Sequence, residues 1–104
     1  MPTTTLAGHT VDVNEEGFLI DPADWSDDLA AVLAAQIGIT LDDAHWDVIR
    51  FARKDFEATG ESPTIRRLST AGGIPPKRFF ELFPQKPAKK LAYVAGLPKP
   101  RGCV

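Results

Sequence analysis

Proline and glycine residues divide the second half of this 104-residue chain into short segments. Pro63, Pro84 and Pro87 each lack a backbone N–H, so a helix begins at such a residue or ends before it. A Gly-Gly pair at residues 72–73 precedes two further prolines and adds another break, and Gly96 ends the last segment. Since apolar residues recur at helical spacing between these breaks, the sequence predicts several short helices in this half.

Three short helices are predicted after residue 60. Ser62 is the expected N-cap of the first helix, with Pro63 at its first position. The second is expected over Lys77–Phe83 and the third over Ala88–Ala95. The first two flank a tight turn, so together they have the appearance of a helix-turn-helix pair.

The first half begins with residues typical of strands. Thr4–Ala7, Thr10–Val13 and Gly17–Ile20 are short, rich in β-branched residues and partly alternating, which predicts a hairpin or a three-stranded meander. Two or three strands alone are only marginally stable, so they must pack on helices.

Two longer helices are predicted between the strands and residue 60. Ser26 or Asp27 can cap the first, and Gly38 ends it. Thr40 is the expected N-cap of the second, which continues to Thr59 and carries the widest apolar stripe.

The predicted fold class is mainly α with a small N-terminal antiparallel β-hairpin (α+β), arranged as a compact helical bundle. Residues 1–95 are expected to form one globular domain, with the hairpin in residues 1–20 and helices in residues 26–95. Residues 96–104 are expected to form a mobile C-terminal arm. The large aromatic side chains are expected in the core: Trp25, Trp46, Phe79, Phe80 and Phe83.

The only cysteine, Cys103, is the penultimate residue and lies on a segment whose prolines and glycines exclude regular structure. Prolines fix φ at about −65°, so residues 97–100 are expected to form a stiff projecting rod, with a glycine as a swivel beside the thiol. A thiol on such an arm can enter a pocket of another protein, so the segment predicts a sulfur carrier. The residues expected to present the thiol are Gly96, Pro98, Lys99, Pro100, Arg101 and Gly102.

Charge is unevenly distributed, although the net charge is only −2. Residues 1–49 contain ten acidic residues and no lysine or arginine, whereas all twelve basic residues follow. Either the two halves attract each other, or a basic face around the arm attracts an acidic partner surface or RNA. The basic residues predicted to dock a partner are Arg66, Arg67, Lys77, Arg78, Lys86, Lys89 and Lys90.

Other classes of function find less support in the sequence. DNA binding through residues 65–83 has phosphate-binding cations available, but few side chains of the second helix can read bases. His9, His45 and Cys103 are too scattered for a metal site or a hydrolytic triad, so no metal and no cofactor are predicted. The sequence has neither a secretory signal nor a membrane-spanning run, which predicts a cytoplasmic protein.

Seven segments of the chain match a sequence pattern known from one protein family: Trp25-Ser26, His45–Phe51, Ser62–Arg66, Leu82–Pro84, Pro87–Lys89, Ala95–Pro100 and Gly102–Val104. On these segments the sequence resembles the TusE/DsrC/DsvC sulfur-relay family. The resemblance implies that Cys103 accepts sulfane sulfur as a persulfide from a donor complex of the TusBCD/DsrEFH type. It further implies transfer to an acceptor similar to a tRNA thiouridylase, with tRNA involved only indirectly.

Two departures from the family pattern bear on which branch the chain resembles. Tyr93 stands where the dissimilatory-sulfite-reductase partners have a second cysteine, so no bridge within the arm can form. The absence of this cysteine favours the single-cysteine, TusE-like branch, which passes sulfur toward tRNA 2-thiouridine. The turn at residues 71–76 is several residues shorter than in many relatives, and this difference bears on which partner the chain binds. The alternatives are a DsrC-like protein of dissimilatory sulfur metabolism and a helix-turn-helix regulator with a redox-sensing cysteine.

Overall fold

A short β-hairpin precedes a set of α-helices in the computed structural model, which describes residues 3–6 and 9–99. The elements in chain order are strands β1 (Thr3–Leu6) and β2 (His9–Asp12), a 3-10 turn (Pro22–Asp24), and helices α1 (Asp27–Gln36), α2 (Asp43–Thr59), α3 (Ile65–Thr70), α4 (Pro76–Leu82) and α5 (Pro87–Val94). The predicted fold class, mainly helical with an N-terminal antiparallel hairpin, is confirmed. The division into a domain of residues 1–95 and a mobile arm stays a prediction.

The hairpin has two strands, β1 and β2, which pair antiparallel along their whole length. The predicted strand Gly17–Ile20 is reduced to a single bridge between Val13 and Leu19. The side-chain oxygen of Asn14 accepts a hydrogen bond from the backbone N–H of Phe18 at 3.0 Å and closes a tight turn. The Phe18 N–H is thus bound to a side chain and cannot donate to a backbone carbonyl of a longer strand ladder. The strand pairing is short for this reason.

The hairpin side of the molecule is stabilised by contact with α1. Val11, Val13 and Leu19 form a buried cluster with Leu29 and Leu33 of that helix. Burial of apolar side chains is the main source of stability for so small a hairpin, which is marginal alone.

Helix lengths follow the proline and glycine pattern. The helices after residue 60 have 6, 7 and 8 residues, whereas α2 has 17. Within residues 3–6 and 9–99, no helix is long and apolar enough to cross a membrane.

The N-cap of α2 is Asp42, and the predicted cap, Thr40, is wrong. Asp42 Oδ1 accepts a hydrogen bond from the His45 backbone N–H at 3.1 Å, and His45 Nδ1 lies 3.2 Å from the Asp42 backbone nitrogen and 2.9 Å from Asp42 Oδ1. His45 is buried, and its Nε2 donates to the Leu82 carbonyl at 2.8 Å. The buried histidine completes a reciprocal capping box and so selects Asp42.

Ser62 is not the N-cap of α3, which corrects a second prediction. Thr64 has this role, because its hydroxyl accepts the Arg67 backbone N–H at 3.2 Å and the helix begins at Ile65. Ser62 and Pro63 are buried before the helix. A Ser-Pro pair has the appearance of a helix start in the sequence, but the Ser62 hydroxyl has a tertiary partner instead.

The main core contains side chains from α2, α4 and α5. Phe79 and Phe83 are fully buried in it, but Phe80 is 48% exposed, contrary to the prediction. Adjacent residues on a helix point in different directions, so the face that buries Phe79 leaves its neighbour outside. Trp25 and Trp46 are half-buried and pack against the edge of this core.

Candidate functional site

The root of the C-terminal arm, defined here as residues 96–99, is attached to the body of the protein. Helix α5 ends at Val94, and the next residues form a Schellman motif in which the Leu97 N–H donates to the Ala92 carbonyl at 2.9 Å. Leu97 is only 1% exposed and belongs to the main core. The prediction of a projecting rod that starts at residue 97 is therefore wrong for Leu97, because the chain leaves the core only after this residue.

Gly96 meets two conformational demands at this root. Its φ is +70°, a region that side chains disfavour. Its backbone also lies so close to Trp25 that an added Cβ would overlap the indole and stand 2.8 Å from its Cγ. The Trp25 indole is itself fixed, because its Nε1 donates a hydrogen bond to the Val94 carbonyl at 2.9 Å.

Arg53 of α2 connects the arm root to the N-terminal half. Its guanidinium lies 4.2 Å from the centre of the Trp25 ring and donates to the Ala95 carbonyl at 2.6 Å and the Pro22 carbonyl at 2.9 Å. Desolvation by burial lowers the pKa of Arg53, although the Glu57 carboxylate opposes this effect. Arginine remains charged in proteins, so these carbonyls receive charge-assisted hydrogen bonds.

Two further contacts hold the last described residues of the arm. Ser62 Oγ donates to the Pro98 carbonyl at 2.5 Å. Lys99 Nζ lies 3.4 Å from Glu16 Oε1, and Lys89 Nζ lies 3.4 Å from Glu16 Oε2. Desolvation raises the pKa of Glu16, but its hydrogen bonds with both lysines prevail and lower it overall.

A cavity of about 340 Å³ opens beside this root. It is lined by Glu16, Phe18, Ile37, Lys86, Lys89, Lys90 and Tyr93. The Tyr93 ring meets Phe18 edge to face at 5.8 Å, and desolvation raises the pKa of its phenol. Tyr93 is therefore a neutral phenol in a cavity with a basic rim.

The structure separates the predicted docking residues into two groups. Lys86, Lys89 and Lys90 share the cavity beside the arm root. The remaining residues, Arg66, Arg67, Lys77 and Arg78, lie on α3 and α4. The two groups therefore differ in position, because only the first lines the cavity beside the arm root.

Two arginines of the second group, Arg67 on α3 and Arg78 on α4, have surroundings that differ from those of the α5 lysines. Arg67 is bound to the buried Asp55, with its Nε and Nη2 3.1 and 2.9 Å from one carboxylate oxygen, and that hydrogen bond is the main reason that its pKa is raised. Arg78 lines a different cavity, of about 330 Å³, near Gly73. These contacts set the two arginines apart from the lysines of α5.

Sequence reasoning missed three residues that hold the arm root: Glu16, Arg53 and the Ser62 hydroxyl. Nothing in the sequence marks Arg53 or Glu16, since their partners are backbone carbonyls and lysines distant along the chain. The predicted arm residues Gly96, Pro98 and Lys99 lie at the root, whereas Pro100, Arg101, Gly102 and Cys103 lie outside the described residues. No group of three potential metal ligands occurs in the part of the chain that the structure describes.

These features define a class of small helical protein in which a C-terminal cysteine follows an arm rooted in the core. The model of the family described as "DsrC like protein" matches residues 5–104, and the chain belongs to this family. The sulfurtransferase TusE of Yersinia pseudotuberculosis is 40% identical over 93% of this chain and 96% of its own length. The Escherichia coli K12 protein of the same name is 36% identical over 93% of this chain and 95% of its own.

Solved structures give the same result. The NMR structure of Allochromatium vinosum DsrC has a TM-score of 0.85 and 38% identity, covering 98% of this chain and 97% of that one. The oxidized gamma-subunit of dissimilatory sulfite reductase (DsrC) from Archaeoglobus fulgidus has a TM-score of 0.80 and 34% identity, covering 99% and 100%. The predicted resemblance and the predicted class, a sulfurtransferase of a sulfur-relay system, are confirmed. Neither alternative, dissimilatory sulfur metabolism or DNA-binding regulation, is favoured.

Proposed function

We propose that Cys103 is the residue that carries sulfur in this relay protein. Its thiolate attacks the outer sulfur of a persulfide on a donor protein, the donor S–S bond breaks, and the donor cysteine leaves as a thiolate. The acceptor thiolate then attacks the outer sulfur on Cys103 in the same way. Sulfur oxidation state is conserved in each exchange, so the covalent persulfide is sufficient and no further cofactor is required.

The observation that carries this proposal is the position of the thiol relative to the arm root. Cys103 is the only cysteine and lies four residues beyond Lys99, the last described residue of a segment bound to the core. A thiol tethered in this way is available to a partner's pocket without unfolding of the domain.

We further propose that the donor is a complex of the TusBCD/DsrEFH type and the acceptor an enzyme similar to a tRNA thiouridylase. The names of the TusE relatives support a relay of this kind. Tyr93 supports the single-cysteine branch, because without a second cysteine each persulfide must pass to another protein.

Partner docking is proposed at the α5 lysines beside the arm root. Lys86, Lys89 and Lys90 surround one cavity, which is otherwise largely apolar, and Glu16 is the one carboxylate among its lining residues. A complementary acidic surface would be attracted to this rim and would accelerate encounter. The other basic group, on α3 and α4, does not line this cavity, and its Arg67 is bound to the buried Asp55.

The proposal is tested by intact-mass spectrometry after incubation with a persulfide donor. The wild type is expected to gain about 32 Da, one sulfur atom, and to lose it on reduction. Cys103→Ser is the matched control and should gain nothing. An adduct of the same mass on the serine variant, or none on the wild type with a competent donor, would contradict the assignment.

A further inference from the structure

The loop between α2 and α3 presents the Ser62 hydroxyl to the arm from a fixed position. Gly60, whose φ is +78°, ends α2, and its N–H donates a hydrogen bond to the Phe56 carbonyl at 2.7 Å. The Thr59 hydroxyl accepts the Glu61 N–H at 3.2 Å and donates to the Glu61 carbonyl at 3.1 Å. Ser62 is the next residue after this hydrogen-bonded turn and is 8% exposed, so the turn fixes the position of its side chain.

Of the two contacts that hold the end of the arm root, the Ser62 hydrogen bond is the stronger. The pair between Lys99 and Glu16 joins side chains that are 35% and 46% exposed, and Glu16 is shared with Lys89. Exposed ion pairs of this kind contribute little, because solvent screens them and long side chains must be ordered. The Ser62 bond comes from a buried hydroxyl to a backbone carbonyl and therefore constrains the main chain directly.

From this contact we infer that Ser62 is a positioning residue, which fixes the direction and the reach of the Cys103 arm by holding the Pro98 carbonyl. The inference rests on the proposed role of Cys103. With Pro98 held, four Cα-to-Cα steps lead from Lys99 to Cys103, a span of about 14 Å at most. Without the bond, the free segment starts at Pro98 and the span rises to about 18 Å.

This difference predicts a measurable effect on transfer. The volume open to the thiol grows as about the cube of the span, so its effective concentration at a partner's pocket falls about twofold. The pocket that receives Cys103 must accordingly lie within about 14 Å of the surface at Lys99 in the docked complex.

The test compares Ser62→Ala with Ser62→Thr, which keeps the hydroxyl, and with Ser69→Ala, which removes the hydroxyl of a half-buried serine on α3. Backbone ¹⁵N relaxation of the full chain reports on the Lys99 amide. In Ser62→Ala the order of this amide should fall while that of the Leu97 amide stays high. Ser62→Thr, Ser69→Ala and Glu16→Gln should each retain wild-type order at Lys99.

Kinetic measurements separate positioning from a general structural role. Ser62→Ala should pass persulfide sulfur to a partner about twofold more slowly, while alkylation of Cys103 by iodoacetamide stays unchanged and the melting temperature falls by only a few degrees. Unchanged order at Lys99, unchanged transfer, or equal loosening by Glu16→Gln would each overturn the inference. If Ser62→Thr has a lower melting temperature than the wild type, the comparison of Ser62→Ala with Ser69→Ala decides the test by itself.

The inference and the proposed function can fail separately. If the wild type transfers no sulfur, the proposed function fails, and the Lys99 amide still decides whether Ser62 fixes the arm.

Discussion

Gly96 illustrates how one residue can be required for two independent reasons. Its positive φ ends α5 and turns the chain back so that Leu97 enters the core. Its missing side chain leaves room for Trp25, which bonds to the Val94 carbonyl and stacks under Arg53. The direction in which the arm leaves the domain therefore depends on backbone conformation and on close packing together.

Gly96→Ala is expected to destabilise the protein by about 2–4 kcal/mol. The strained φ contributes about 1–2 kcal/mol, and the overlap with the indole adds a packing cost of similar size. Gly38→Ala is the matched control, since φ there is +75° but no atom lies within 4 Å of an added Cβ. Urea denaturation should show only the φ contribution, a loss of about 1–2 kcal/mol, for the control. Equal losses in the two variants would disprove the packing contribution.

At the scale of the element, α2 begins at Asp42 because of a tertiary contact. Both Thr40 and Asp42 are good capping residues in the sequence. His45 decides between them, because its Nε2 is bound to the Leu82 carbonyl of α4 and its Nδ1 then faces the Asp42 backbone. The start of the longest helix is thus set from outside that helix.

Asp42→Ala should lower the melting temperature by a few degrees, the usual effect of losing an N-cap. Thr40→Ala, the control, should leave the melting temperature nearly unchanged. Thermal unfolding followed by circular dichroism measures both. A larger drop for Thr40→Ala would mean that the cap observed here is not the one used in solution.

The same carboxylate predicts a pH dependence. The hydrogen bond with the His45 side chain is the largest cause that lowers the pKa of Asp42 from its ordinary value of 3.8. A lowered folded-state pKa gives stability that is present above pH 3.8 and is lost as the pH falls through the folded value. The wild type should therefore lose its advantage over Asp42→Asn, which caps but does not titrate, only below about pH 4. An advantage that persists at pH 2 would contradict this linkage.

Leu97 is the last residue of the Schellman motif that ends α5. Leu97→Ala should cost about 2–5 kcal/mol, the range for a buried leucine, because Leu97 packs in the main core. Ile20→Ala, at a residue 38% exposed, is the apolar control and should cost less than about 1 kcal/mol. Chemical denaturation measures the difference. If Leu97→Ala were as mild as the control, the arm would begin at residue 97 after all.

At the scale of the whole molecule, opposite charges of the two halves meet at particular places. Glu16 pairs with Lys89 and Lys99, and Asp27 pairs with Arg50 at 3.3 Å. These pairs support the interpretation that the halves attract each other. Other basic residues remain accessible to a partner, since Lys86 is exposed at the rim of the cavity beside the arm root.

Lys86→Glu should slow association with an acidic sulfur donor by about threefold or more at low salt, because it reverses a charge next to the arm root. The effect should shrink as ionic strength rises. Lys77→Glu makes the same charge change at an exposed position on α4 and should have little effect. Stopped-flow binding at several salt concentrations measures both rates. Equal slowing by the two variants would show that docking is not centred on α5.

Much of the fold follows from local rules that the sequence displays. The positions of Pro87 and Gly96 set the limits of α5, Ser26 caps α1, and β-branched residues form the hairpin. These features depend on φ restrictions and on hydrogen bonds between near neighbours, which a residue carries into any fold. The residue proposed to carry sulfur, Cys103, also follows from the sequence alone.

Only the tertiary structure decided which residues hold the arm. Ser62 has the appearance of a helix cap and Arg53 that of a surface cation, yet their partners lie 36 and 42 residues away, at Pro98 and Ala95. Leu97 likewise lies in a proline-rich segment but is buried against the core. Contacts across such separations form only when the helices pack. Local sequence therefore determined most of the element boundaries, whereas packing determined the start of α2 and the place where the arm is rooted.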